Sequence, residues 1–207
     1  MGLHRHAFWL YGVVVGLAIQ QALLSLLPKL IDPNDTRIGS WSEALRLFVF
    51  LLLIIRFFLG SAAYFDEVYC GTQSDKYDKK SYGLDYLLGF VHFVVFFGWA
   101  LTIDLQQSPS YLFPSMLAFI LLYDLVWLWV SRNNDTANRI KLWAFVNALT
   151  FLLGASFYVI AHFALRSPML LAEAIAFVPV ILVSVIDLAE LISGQSFFKS
   201  WLKKVIT

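Results

Sequence analysis

Apolar residues in this chain fall in six long blocks, at 7–27, 44–65, 84–104, 112–131, 142–164 and 170–192, with short polar stretches between them. Each block is about the 20 residues a helix needs to cross the hydrocarbon core of a bilayer. Together they predict an all-α, polytopic membrane protein. It is a six-transmembrane-helix bundle forming a single transmembrane domain over residues 1–207, with no separate soluble domain. The connections carry turn chemistry: Asp32-Pro33-Asn34-Asp35 in the first, Ser108-Pro109 in the third, Asn133-Asn134-Asp135 in the fourth and Arg166-Ser167-Pro168 in the fifth. The second, Gly71 to Lys80, is the most polar stretch and has no pattern that would fold on its own. Ser40 or Ser42 suits the cap of the second helix. The first block is longer than a signal-peptide core and ends at Pro28-Lys29 with no small-residue cleavage site, so it reads as a retained helix.

Composition agrees with the blocks. Apolar residues make up 60% of the chain and charged residues 14%, against about 45–50% and about 25% in a soluble domain. Cys70 is the single cysteine, which excludes an internal disulfide and a thiol relay. A net charge of +1 gives no reason to expect a nucleic-acid partner.

The basic residues set an orientation. Arg5, Lys76, Lys79, Lys80, Arg132, Arg139, Lys141, Lys199, Lys203 and Lys204 would share one side, and only Lys29, Arg37, Arg46 and Arg166 the other. Ten against four places both the N-terminus and the C-terminus in the cytoplasm. Trp9, Trp41, Trp99, Trp129, Trp143 and Trp201 fall near block ends, where interfacial anchors belong. In the tail, Phe197, Phe198 and Trp201 alternate with lysines, a composition that suits either an interfacial amphipathic helix or a frayed end.

One charge is out of place. Arg56 follows nine apolar residues of the second block, and a charge at the bilayer centre costs about 2.5–3.5 kcal/mol on insertion scales. It is tolerable only if it faces other helices and meets an anion. Asp124 and Asp187 lie in the fourth and sixth blocks, roughly 4–8 Å below the centre at 1.5 Å per residue. Arg56, Asp124 and Asp187 are therefore expected to form an intramembrane charge cluster, either as an assembly clamp or as part of a conduction or substrate path. His92 and Asn147 are candidates for interhelix hydrogen bonds, and His92 with Asp124 for a proton relay. His162 and Glu173 fall near the outer surface and read as hydrated, and Glu190 as facing the cytoplasmic interface. Pro114 and Pro179 are candidate helix kinks. Gly60-Ser61-Ala62-Ala63, Gly89, Gly98, Gly154 and the Ala18/Ala22 spacing are candidate close helix contacts, and Gln20 and Gln21 are unexpectedly polar beside that spacing. Phe90-Val91-His92 and Phe145-Val146-Asn147, with Asp124-Leu125 and Asp187-Leu188, hint at a repeated two-helix unit, a likeness that the restricted composition of such helices also produces by chance.

Enzyme chemistry is thin. The chain has no HExxH site, no paired glutamates, no aspartate cluster for magnesium and no lysine within a block. Gly154-Ala155-Ser156 resembles the serine motif of rhomboid proteases, but the glycine after the serine is missing. His162 lies on the same helix, on another face. No catalytic residue, metal site or cofactor is expected. The reading is a small oligomeric channel or pore subunit in a plasma or inner membrane, partnered by the lipid bilayer and by further copies of itself. The rival readings are a six-helix substrate-binding or transport subunit that needs a partner, and an accessory or regulatory membrane protein, for example of a stress or defence system. A soluble or membrane protein partner would dock at the cytoplasmic loops.

Overall fold

The computed structural model describes residues 2–31, 39–66, 69, 79–104, 108–131 and 137–193. The turn at 32–35, Cys70 with the second loop, the turn at 132–136 and the basic tail from 194 lie outside the described residues. Within them the protein is all helical: α1 (Gly2–Ile31), α2 (Gly39–Phe65), α3 (Lys79–Ala100), α4 (Leu112–Ser131), α5 (Ala137–Val159), a π-helical turn (Ile160–Ala164) and α6 (Met169–Ser193). All six α-helices are long and apolar enough to span a membrane. A helix satisfies its own backbone where no water can, which is why blocks of this kind settle into one. At most 39% of any apolar span is buried within the chain. The remaining surface is the outward face that lipid would cover, so this is an integral membrane protein of multi-pass type.

The helices pack in a closed cycle, α1–α3–α4–α5–α6–α2 and back to α1. Inward-facing aromatic rings fill the centre. Phe57 meets Phe96 at 5.5 Å, Phe50 meets Trp99 at 5.3 Å, and Trp99 meets Phe113 at 4.8 Å. On α1 the inward stripe is Tyr11, Val15, Ala18, Ala22 and Leu26, all buried. The small side chains at 18 and 22 thus face the bundle. Gly60 on α2 is needed for a close approach: a Cβ there would lie 2.0 Å from the Trp143 ring. Gly154 similarly brings α5 against the α6 backbone, with a would-be Cβ 3.1 Å from the Ala176 carbonyl.

The helices depart from the sequence reading at several points. α3 stops at Ala100 instead of 104. Thr102 takes the Trp99 carbonyl through both its hydroxyl (2.8 Å) and its N–H (2.9 Å), and such local side-chain bonding competes with the helical ladder. Pro114 sits in the first turn of α4, where no intrahelical N–H is lost, so it kinks nothing, whereas Pro179 lies inside α6. Trp99 and Trp143 are not interfacial anchors. Trp99 is wholly buried and donates to the Phe113 carbonyl at 3.0 Å, and Trp143 packs inside against Phe57. Trp9, Trp41 and Trp129 do face outward.

The end of α5 widens before it turns. The Leu165 N–H donates to the Ile160 carbonyl, and the Ser167 N–H reaches back to the Ala161 carbonyl, each at 3.0 Å. Arg166 takes a left-handed φ of 51° between them, and Pro168 then prevents continuation. This is the π-widened counterpart of a helix-ending left-handed cap, made without the usual glycine. It delivers α6 so that Glu173 enters the bundle one turn after the helix starts.

A candidate intramembrane charge site

Arg56 is completely buried on α2. Its Nε donates to Asp187 Oδ2 at 2.5 Å, and Nη2 contacts the same oxygen, closing an ion pair between α2 and α6. Nη2 also donates to Asn147 Oδ1 on α5 at 2.8 Å. Asn147 Nδ2 in turn donates to Asp124 Oδ2 on α4 at 2.5 Å. Only one orientation of the amide works here, because a guanidinium can only donate and an ionised carboxylate can only accept. On the far side of Asp124, His92 of α3 stands with Nδ1 at 3.9 Å from Oδ1. The guanidinium lies over the rings of Trp143 (5.2 Å) and Phe57 (5.5 Å), contacts that favour a cation. Arg56 thus pairs with Asp187 directly and reaches Asp124 only through Asn147. Five helices contribute to this chain of contacts, α5 twice, since Trp143 hydrogen-bonds Asp124 as well as stacking on Arg56, and α1 contributes none.

Charge balances within it only when one carboxyl group holds a proton or His92 takes one up. Two carboxylates face one guanidinium, and His92 is the one further group in the chain of contacts that can take up a proton. Two buried nitrogens of this network, Arg56 Nη1 and His92 Nε2, have no hydrogen-bond partner among the described residues. Buried donors of this kind are costly, about 1–3 kcal/mol each and more when charged. Asp187 is the one member with some access, its side chain 12% exposed.

A second ion pair joins the same two helices. Arg46 donates from Nε and Nη2 to the two oxygens of Glu173, each at 2.7 Å, and from Nη2 to the Ser110 carbonyl at 2.9 Å. Its guanidinium covers the Phe113 ring at 5.1 Å. Both partners are buried. This corrects the reading of Glu173 as hydrated and of Arg46 as a flanking topology charge: both lie inside the spans Trp41–Phe65 and Met169–Ser193 and neutralise one another. His162 is half-buried and interacts locally, with Nδ1 3.3 Å from the Ser167 carbonyl.

Sequence reasoning missed a third polar centre. Asp85 on α3 is fully buried and accepts from Tyr64 (2.7 Å), Tyr69 (2.6 Å) and Trp127 (3.0 Å). Burial first, and then the hydrogen bond and charge of Asp85, raise the Tyr69 phenol well above its ordinary range. The available signal was an aspartate two residues into an apolar block, with a tyrosine at the end of α2, another just beyond it and a tryptophan on α4.

Among the described residues, no three His, Cys, Asp or Glu side chains are placed to hold a metal ion. No protein-family model, curated protein or solved structure matches this chain.

Proposed function

We propose that the protein is a subunit of a small homo-oligomeric membrane channel whose gate is the His92–Asp124–Asn147–Arg56–Asp187 network, with both termini in the cytoplasm. The observation that carries this reading is the network itself: polar groups from five helices, four of them charged or titratable, gathered in an interior otherwise packed with aromatic rings. A bundle that needed only adhesion would gain as much from apolar packing, because replacing a buried ion pair by well-packed hydrophobic residues is often neutral or stabilising. Intramembrane charges mark ion and proton pathways for that reason. The ring-filled centre makes the conformation described here a closed one, so conduction requires the network to rearrange. The excess carboxylate ties that rearrangement to a proton. His92 and Asp124 can exchange one, with Tyr123 of α4 packed on the His92 ring at 4.6 Å, Arg56 and Asp187 beyond Asn147, and Asn147 and Arg56 themselves unable to titrate. The orientation draws its support from the one-sided basic flanks.

The test is flux of protons and of small cations into liposomes carrying the purified chain. The reading expects conduction that depends on pH and is changed by Asp124→Asn and by His92→Gln in folded protein. Liposomes that stay tight at every pH between 5 and 8, with correctly folded protein, would overturn it and leave the network as a packing clamp.

A further inference from the structure

α1 carries a second face that its own bundle does not use. Its inward stripe, Tyr11 to Leu26, packs on α3 and α2. Running from the flank of that stripe round to the outer side of the helix lie half-buried Gly12 and exposed Gly16 and Gln20, spaced about one turn apart. A Cβ built on Gly12 or Gly16 would meet nothing within 4 Å. Gln20 is exposed and makes no hydrogen bond among the described residues. Around it Trp9, Val13, Leu17 and Leu24 also face outward.

Position makes this glutamine unusual. The apolar span of α1 is Trp9–Leu26, so Gln20 lies about 4 Å from its midpoint at 1.5 Å per residue. A primary amide there faces hydrocarbon, with both of its donors and its carbonyl unpaired, a costly arrangement. The neighbouring Gln21 differs: it is half-buried and bonds Ser25 at 3.4 Å. Lipid tails offer Gln20 nothing, and the side chain is too deep to reach the headgroups without unwinding the helix. What does satisfy it is another amide, since a glutamine side chain both donates and accepts. Two copies of the same face, related by a two-fold axis, place one Gln20 against the other.

We infer that the Gly12/Gly16/Gln20 face of α1 is the contact between two copies of this chain, with the glycines allowing close helix approach and the paired Gln20 amides hydrogen-bonded across the axis. The glycine spacing alone would not choose a partner. The amide does, because it is self-complementary and the contact is of the isologous kind that closes a two-fold dimer. Glycines four apart let two helices cross closely. Gly12 and Gly16 lie on the turns just before Gln20, so the crossing brings the two amides within reach. The inference names the interface of the assembly proposed above and rests on that reading. It also assigns α1, the one helix outside the charge network, to assembly.

The experiment uses the full chain in membranes, in a Cys70→Ser background. Single cysteines are placed at Val13 and Leu17 on this face and, as controls, at Val94 on α3 and Leu153 on α5, all of which face outward. Oxidation is expected to cross-link the α1 cysteines and spare the controls. Gln20→Leu is expected to weaken self-association by roughly threefold to tenfold, the worth of interhelical hydrogen bonds in lipid, and Gly16→Leu to abolish it. Both variants should keep the unfolding midpoint of the isolated chain, because Gln20 is exposed and a Cβ at Gly16 would meet nothing within 4 Å. Cross-linking through the α3 or α5 control, or an oligomer unchanged by Gly16→Leu, would overturn this interface while leaving the channel reading standing. A chain that stays monomeric and conducts nothing would overturn both.

Discussion

Neutralising the two aspartates of the charge site tests whether the network acts as one unit. In Asp124→Asn the Arg56–Asp187 pair is untouched, and the new amide still offers Asn147 an oxygen to bond. The change replaces a charge-assisted hydrogen bond by a neutral one, a loss of about 1 kcal/mol. Asp187→Asn removes the direct counterion. Breaking a buried pair outright costs about 3–5 kcal/mol, but here Asp124 remains one residue away through Asn147, and Arg56 Nη1 is free to turn toward it. The expected loss is therefore smaller, about 2–3 kcal/mol. The double variant strands a guanidinium that cannot shed its proton, so it should lose about 5–6 kcal/mol, exceeding the sum of the single losses by about 2 kcal/mol. Reversible unfolding in mixed dodecyl sulfate and maltoside micelles measures all three. Strict additivity, or an Asp124→Asn loss equal to that of Asp187→Asn, would refute the idea that Asp124 is the reserve counterion.

Exchanging the charges, Arg56→Asp with Asp187→Arg, should fail to restore stability in the same unfolding assay, because Asn147 would have to flip and present its oxygen to Asp124. Adding Asp124→Asn, which supplies a donor, should recover part of the loss. Arg46→Lys should cost about 2 kcal/mol, since a lysine cannot make the two-pronged contact with Glu173 and also reach the Ser110 carbonyl. Gly60→Ala, whose Cβ would strike the Trp143 ring, should destabilise by about 1–3 kcal/mol, with Trp143→Leu relieving the clash in a double-variant melt. The raised Tyr69 phenol favours the protonated form in the folded state, so its share of stability is intact below its ordinary value of 10.0 and is lost as pH climbs above it. Tyr69→Phe should flatten that alkaline loss in a pH series of unfolding midpoints.

Much of the architecture was legible because hydrocarbon imposes a single rule, that a spanning segment be long, apolar and helical. All six helices were visible for this reason, including the Ala18/Ala22 face of α1, which does turn inward. The ends were less legible. Nothing in the composition of residues 101–104 announces that Thr102 takes the Trp99 carbonyl and stops α3. Within the charge site, an isolated arginine among apolar residues cannot escape notice, so Arg56 was conspicuous. Glu173 was not, because an acid one turn from a helix start looks the same whether it faces water or a buried arginine. Its direction depends on the π-helical turn and on the left-handed Arg166, which belong to backbone geometry and leave no mark in hydropathy. Asp85 escaped for the related reason that its partners, Tyr64, Tyr69 and Trp127, are ordinary at an interface until the fold brings them together.

The two ion pairs together say more than either alone. They join the same two helices in the same order, so α2 and α6 run parallel, an arrangement in which the helix dipoles oppose close packing. Their partners lie 127 and 131 positions apart in the chain, a difference of four, or about one turn. Sliding α6 by a turn to improve one pair would therefore draw the other apart, and only the long reach of two arginines lets both close in a single register. Apolar surfaces alone would tolerate such a slide, since one lipid-facing helix face resembles the next. The pairs thus convert a slippery contact into a fixed one, with Pro179 between the two acids as the point where α6 lacks one backbone hydrogen bond. Any opening of the bundle along this seam has to break the pairs in turn. The Arg56–Asp187 pair differs from the other in having a second acid, Asp124, within reach through Asn147 and in the partial access of Asp187. A device that opens by protonation would be built around that pair and would leave Arg46 and Glu173 closed as its hinge.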